Sequence, residues 1–147
     1  MRHEIATSIS ISAPLKRVWE VLLDFARYPE WNPFVRSIEG PSSEGSVLKV
    51  TVHPPGGKPM KFRPVVLRDT LGREFRWKGR LLLPGLFDGE HYFILSQVSD
   101  GSTLFMHGEH FCGLLVPLFR KALDGATKDG FEAMNLALKQ RLENRGA

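Results

Sequence analysis

Hydrophobic positions along this chain change period three times. Over residues 3–12, HEIATSISIS, Ile5, Thr7, Ile9 and Ile11 occupy alternate positions, the spacing of a strand with one face turned to a core. From Val18 the spacing becomes helical. Val18, Leu22 and Phe25 recur at i, i+4 and i+7, with Trp19 and Leu23 widening a stripe that reads as core. Ser12 is a candidate cap for this helix and Pro14 suits its first turn. The helix is expected to end before Tyr28-Pro29, because the residue preceding a proline disfavours helical geometry.

Alternation returns between residues 34 and 112, in about six short segments separated by Gly40-Pro41, Glu44-Gly45, Pro54-Pro55-Gly56-Gly57, Leu71-Gly72, Pro84-Gly85 and Asp100-Gly101. Leu48, Val50 and Val52 share one face. Met60, Phe62, Pro64 and Val66 share another, and so do Phe75, Trp77, Gly79 and Leu81. The opposite faces are largely basic, as in an antiparallel sheet covered on one side. Pro64 removes a ladder donor and places its strand at an edge or at a bulge. From 114 to 143 the period is helical again: Leu115, Leu118, Phe119 and Leu123, then Phe131, Met134, Leu138 and Leu142. Gly125 and Gly130 cost about 1 kcal/mol each inside such a helix, so they are expected to admit a close neighbour. The class is α+β.

The sequence has 147 residues, the size of one domain, and residues 1–147 are expected to form one. Cys112 is the only cysteine, which rules out an intrachain disulfide. The first residues lack the apolar core of a signal peptide and no run is long enough to span a bilayer, so a cytoplasmic protein without integral membrane association is expected. The net charge of +4 raises nucleic acid as a partner for Lys49, Lys61, Arg63, Arg76, Lys78 and Arg80. No aromatics interleave with those charges to stack bases, and no nucleic acid is expected.

The densest chemistry is FMHGEHF, residues 105–111. Its histidines stand three apart, not the four of a helical zinc motif. In a strand His107 and Glu109 share a face with Phe105 and Phe111, and His110 points the other way.

The order of elements, with YPEWNPF (28–34), FDGEHYFIL (87–95) and TLFMHGEHFCG (103–113), resembles the START-related helix-grip superfamily, in its polyketide cyclase/dehydrase-like branch often labelled SRPBCC. The resemblance covers essentially the whole chain. It implies a curved seven-stranded antiparallel sheet gripping a long C-terminal helix, with two short helices after the first strand and an elongated apolar cavity. Members bind lipids, sterols, hormones or polyketides, so the resemblance implies a hydrophobic small-molecule ligand without choosing a reaction. It also brings Trp31 beside the cavity mouth, where it covers a ligand or plugs the sheet end, with Asn32 capping a turn.

The registers of one hairpin tie the cavity lining together. A two-residue turn at Asp100-Gly101 would pair His91 with His110 and separate Phe93 from Phe105. A three-residue loop, Ser99-Asp100-Gly101 with glycine in the left-handed position, pairs Val98 with Ser102, and then His91 with Glu109, Phe93 with His107, and Leu95 with Phe105. The second register unites the large apolar residues and is preferred. The ligand-facing set is then Trp31, Phe62, Phe75, Trp77, Leu81, His91, Phe93, Phe105, His107, Glu109, Phe131 and Met134. Three readings of His91, His107 and Glu109 stay open: a polar network ordering the sheet, contacts to a polar group on a ligand, or an acid–base pair acting beside a ketone. Their composition also matches a two-histidine, one-carboxylate metal triad, but strand spacing offers it no helical scaffold; neither metal nor cofactor is expected. The loop 83–89, LPGLFDG, is a lid or an ordinary hairpin loop.

Overall fold

The computed structural model describes residues 2–80 and 83–145. The first strand, β1 (Arg2–Ile11), leads into α1 (Leu15–Leu23), a single 3-10 turn (Phe25–Arg27) and α2 (Tyr28–Trp31). Seven strands follow: β2 (Val35–Glu39), β3 (Lys49–Val52), β4 (Met60–Phe62), β5 (Val65–Thr70), β6 (Glu74–Arg80), β7 (Asp88–Ser99) and β8 (Ser102–Cys112). The chain closes with α3 (Val116–Ala122), a π-helical turn (Leu123–Thr127) and α4 (Lys128–Arg145).

One antiparallel sheet runs β1-β8-β7-β6-β5 and a second runs β2-β3-β4. The single seven-stranded sheet is therefore corrected to eight strands in five plus three. The proline explains the break. Pro64 interrupts the segment expected to form one strand, leaving β4 in the small sheet and β5 in the large one. The two sheets still meet, because residues 45–48 bond to 64–66 through Leu48 N–H to Pro64 C=O and Val66 N–H to Ser46 C=O, both 2.9 Å.

The β7–β8 register pairs His91 with Glu109, Phe93 with His107 and Leu95 with Phe105, as the alternation required. The device that sets it differs from expectation. Ser99 pairs with Ser102 across a two-residue turn, and the extra residue sits in a bulge at Val98. On the other side Ile5 pairs with Glu109, Thr7 with His107 and Ile9 with Phe105, so the apolar face of β1 continues the same surface.

Three helical details also differ. Ser12 does not cap α1 with its side chain: Pro14 occupies the cap position, and the Ser12 backbone N–H donates to Glu143 on α4 at 2.8 Å. Tyr28-Pro29 opens α2 as well as limiting what precedes it, proline being well suited to a first helical turn. The C-terminal helix is not continuous. Its π-helical turn rotates the N-terminal part, so Val116 and Leu123 are buried while Leu118 and Phe119 face out. Beyond the turn Phe131, Met134, Leu138 and Leu142 are fully buried against the sheet.

Candidate functional site

Burying His107 and Glu109 on an aromatic sheet face demands hydrogen-bond partners, because an unpaired polar group in such surroundings costs several kcal/mol. The structure supplies them as one continuous chain across four elements, β1, β7, β8 and α4. Glu109 Oε1 meets His91 Nδ1 at 3.0 Å. His91 Nε2 meets His107 Nε2 at 2.8 Å. His107 Nδ1 meets Asn135 Oδ1 on α4 at 2.8 Å. Asn135 Nδ2 donates to the Thr7 hydroxyl at 2.8 Å, and Thr7 donates to the backbone carbonyl of His107 at 2.7 Å.

Simple donor–acceptor rules assign the protons along it. A backbone carbonyl only accepts, so Thr7 donates to it and must receive its second bond from the Asn135 amide. Asn135 then presents Oδ1 to His107, whose Nδ1 carries the proton. On a neutral ring His107 Nε2 is the acceptor, so His91 donates from its Nε2. His91 Nδ1 is left as an acceptor, and Glu109 must donate to it as a carboxylic acid. The local electrostatics agree. Burial pushes Glu109 up to about 8, with His110 opposing weakly. Burial pushes His91 down to about 3. Burial, then the neighbouring His91, holds His107 well below its ordinary range despite the Asn135 bond. The Glu109–His91 contact is thus a neutral acid–imidazole bond rather than an ion pair, even though 18% of the Glu109 side chain remains exposed.

Aromatic rings hold the two imidazoles. His107 stacks on Phe131, centroids 4.4 Å apart and 6° from parallel. His91 stacks on Trp77 at 4.8 Å and 19°. Phe93 packs against both, 5.1 Å from His91 and 5.0 Å from His107. Glycine makes room for the acid. A Cβ at Gly89 would lie 2.1 Å from Glu109 Oε2, the oxygen that makes no hydrogen bond among the described residues. Gly79, opposite Gly89 on β6, leaves space that the Phe62 ring partly fills. Glu109 therefore tucks its second oxygen against Gly89, at the end of an otherwise aromatic face.

This architecture and its whole-chain sequence pattern coincide. The chain belongs to the polyketide cyclase/dehydrase and lipid transport family. The match spans residues 2–143. Among solved structures, the Zhui aromatase/cyclase from Streptomyces sp. R1128 is similar in fold, with a TM-score of 0.82, 17% identity, and coverage of 100% of this chain and 97% of that one. A START superfamily protein from Mycobacterium smegmatis gives 0.75 and 20%, covering 97% and 99%. Norcoclaurine synthase from Thalictrum flavum, in complex with dopamine and hydroxybenzaldehyde, gives 0.74 and 14%, covering 100% and 90%. No curated protein sequence matches.

Within this family fold, the residues singled out from the sequence divide. His91, His107, Glu109, Trp77, Phe93 and Phe131 form the relay and its wall. Phe75 and Phe105 lie one ring further out, 6.5 Å and 5.8 Å from Phe93, and Met134 is fully buried beside them on α4. Both rings pack on Phe93 within the core between sheet and helix. Trp31 is half-buried and packs at a tilt against Tyr28, centroids 5.0 Å apart, its indole N–H buried without a partner among the described residues, so it is not part of the relay. Asn32 caps the turn into β2, accepting from the N–H groups of Phe34 and Val35 at 3.0 and 2.8 Å. Leu81 lies outside the described residues. No cluster able to hold a metal occurs among the described residues; the two histidines and Glu109 bond to each other in a line rather than converging on a centre. No helix among them is long and apolar enough to cross a membrane.

Asn135 is the member that the sequence reading missed. Its signal was present: it lies at i+4 from Phe131 and three before Leu138, a polar residue on the buried stripe of α4.

Proposed function

We propose that the protein binds a hydrophobic small molecule carrying a carbonyl or hydroxyl group, whose polar atom meets Glu109 beside Gly89. The observation behind this reading is the end of the relay: a neutral carboxylic acid, aligned by His91, whose second oxygen makes no hydrogen bond among the described residues and faces Gly89. Apolar contact then supplies affinity at about 25 cal/mol per Å² buried, and the acid supplies orientation. Similarity to an aromatase/cyclase and to a synthase crystallised with aromatic ligands supports this ligand class.

The test is native against denaturing mass spectrometry on protein purified without detergent, followed by titration with a planar polycyclic ketone such as anthrone. A stoichiometric apolar adduct, or saturable ketone binding that Glu109→Leu weakens about tenfold and Glu109→Gln largely keeps, is the expected result. A clean mass together with no saturable binding rejects it.

The relay favours a second reading, acid–base catalysis of cyclisation or dehydration. Ionised Glu109 could accept a proton from the carbon beside a ketone while the imidazoles hold it in line, and return it to a departing hydroxyl. Glu109→Gln separates the readings: it abolishes turnover of a ketone substrate and leaves binding intact if the acid is catalytic.

A further inference from the structure

Large hydrophobic side chains that do not fold inward are scattered over most of this molecule, as at the hairpin positions Leu71 and Val98. At one end they gather. Leu83 is 72% exposed, Leu114 and Leu118 each 77%, and Phe119 47%. Two backbone bonds clasp the β6–β7 loop to the start of α3, Leu114 N–H to Gly85 C=O at 3.1 Å and Leu115 N–H to Leu86 C=O at 2.9 Å. Gly113, at φ 140°, permits this approach; a Cβ there would stand 2.2 Å from the Leu86 carbonyl oxygen. Phe119 packs edge-on against Phe87 of the same loop at 5.3 Å. The apolar tip is therefore built from two segments held together.

Its charge is one-sided. Arg120 and Lys121 follow Phe119 directly and both are exposed. Lys121 forms no ion pair among the described residues, and Arg120 reaches only His3, at 3.4 Å. The nearby acids are engaged: Asp124 with His3, and Asp88 with Arg80 and the Gly85 N–H. The chain as a whole carries +4.

We propose that this end of the protein docks peripherally on an anionic lipid bilayer. Leu83, Leu114, Leu118 and Phe119 enter the boundary between headgroups and acyl chains, and Arg120 and Lys121 meet the lipid phosphates. A short amphipathic helix with bulky apolar residues followed by cations suits that interface, where apolar burial and attraction to anionic lipid add. At seven residues, α3 lies on the surface and cannot span it. Glu109 stands three residues before the end of β8 that feeds this tip, so a docked protein holds the Glu109 end of the relay toward the membrane. The docking proposal does not depend on the ligand reading.

Vesicle co-sedimentation at low salt tests it, comparing pure phosphatidylcholine with a mixture containing one quarter phosphatidylglycerol. Partitioning to the anionic vesicles is expected to be at least about tenfold stronger, since each basic residue near such a surface contributes roughly fivefold. L118S/F119S should lose about tenfold on anionic vesicles, and R120E/K121E should remove the preference for anionic lipid. Circular dichroism of both variants should match wild type, with L118S/F119S melting slightly lower because Phe119 gives up its contact with Phe87. Wild-type protein that ignores anionic vesicles, or variants that bind as wild type does, overturn the proposal. A concentration-dependent dimer that L118S/F119S disperses, with no vesicle binding, also overturns it and gives the patch to a second copy of the chain. Ketone binding measured without vesicles is unaffected by any of these outcomes.

Discussion

Glu109 and its two histidine partners give the protein a stability profile with a definite sign at each pH. In the unfolded chain Glu109 loses its proton near 4.5, whereas in the fold it keeps it to about 8. Across that window the folded state binds more protons, so stability falls as pH rises, at about 1.4 kcal/mol per unit. The imidazoles act in the opposite sense. Unfolded histidine takes up a proton below about 6.5, while folded His91 refuses one down to about 3 and His107 also stays neutral well below 6.5. Their contribution falls as pH drops through that range. From 4.5 to 6.5 the two imidazoles outweigh the one carboxyl, and above 6.5 the carboxyl acts alone. The cluster's contribution therefore peaks near pH 6.5. Urea midpoints measured from pH 5 to 8 should show that maximum, and Glu109→Gln, whose amide can still donate to His91, should flatten the alkaline limb. An alkaline limb unchanged by the substitution would show that Glu109 is already ionised at neutral pH. Asn135 makes a separate prediction. Asn135→Leu strands the His107 Nδ1–H and one Thr7 bond in a buried site and should cost about 2–4 kcal/mol in urea unfolding; a loss under 1 kcal/mol would mean water replaces the amide.

At the scale of elements, two glycines in the C-terminal helical region separate propensity from packing. Both cost about 1 kcal/mol relative to alanine by propensity alone. Gly130 sits where α4 crosses Phe34, and a Cβ there would be 2.4 Å from the ring. Overpacking of that kind costs about 1–3 kcal/mol, so Gly130→Ala should destabilise in spite of its better propensity. Gly125 lies in the π-helical turn with nothing within 4 Å of its added Cβ. Gly125→Ala should stabilise, by up to about 1 kcal/mol. Equal effects of the two changes in urea unfolding would discard the packing account. The contrast also marks what the sequence could disclose. Alternation with large aromatics made the His91–Glu109 and Phe93–His107 pairs legible, because any other register scatters the rings over two faces. The bulge at Val98 was not, since a bulge and a longer loop shift the register alike. A π-helical turn inserts one residue and leaves no period of its own, so helical spacing alone did not show that Leu118 and Phe119 face out. Counting only apolar positions on the helical stripe hid Asn135, the residue that orients the relay.

For the molecule as a whole, ligand uptake must contend with an interior of closely packed rings. Phe75 is the place to probe this, being fully buried against Phe25, Trp77 and Phe93 at 5.6, 6.1 and 6.5 Å and outside the hydrogen-bonded relay. Phe75→Ala should cost about 3–5 kcal/mol, the usual result of deleting a buried ring. The void it leaves is lined by aromatic carbon, so it should stay dry and accept a benzene-sized guest. Toluene at a hundred times its dissociation constant should then restore about 2.7 kcal/mol, read as a rise in the melting midpoint that wild type does not show. Recovery would mean that the wall is rigid enough to keep a cavity open once a ring leaves it, so a natural ligand binds by displacing rings. Destabilisation without recovery would mean that the sheet and α4 collapse onto any vacancy. Polar contact would then be confined to the end of the relay beside Gly89, where Glu109 Oε2 makes no hydrogen bond among the described residues.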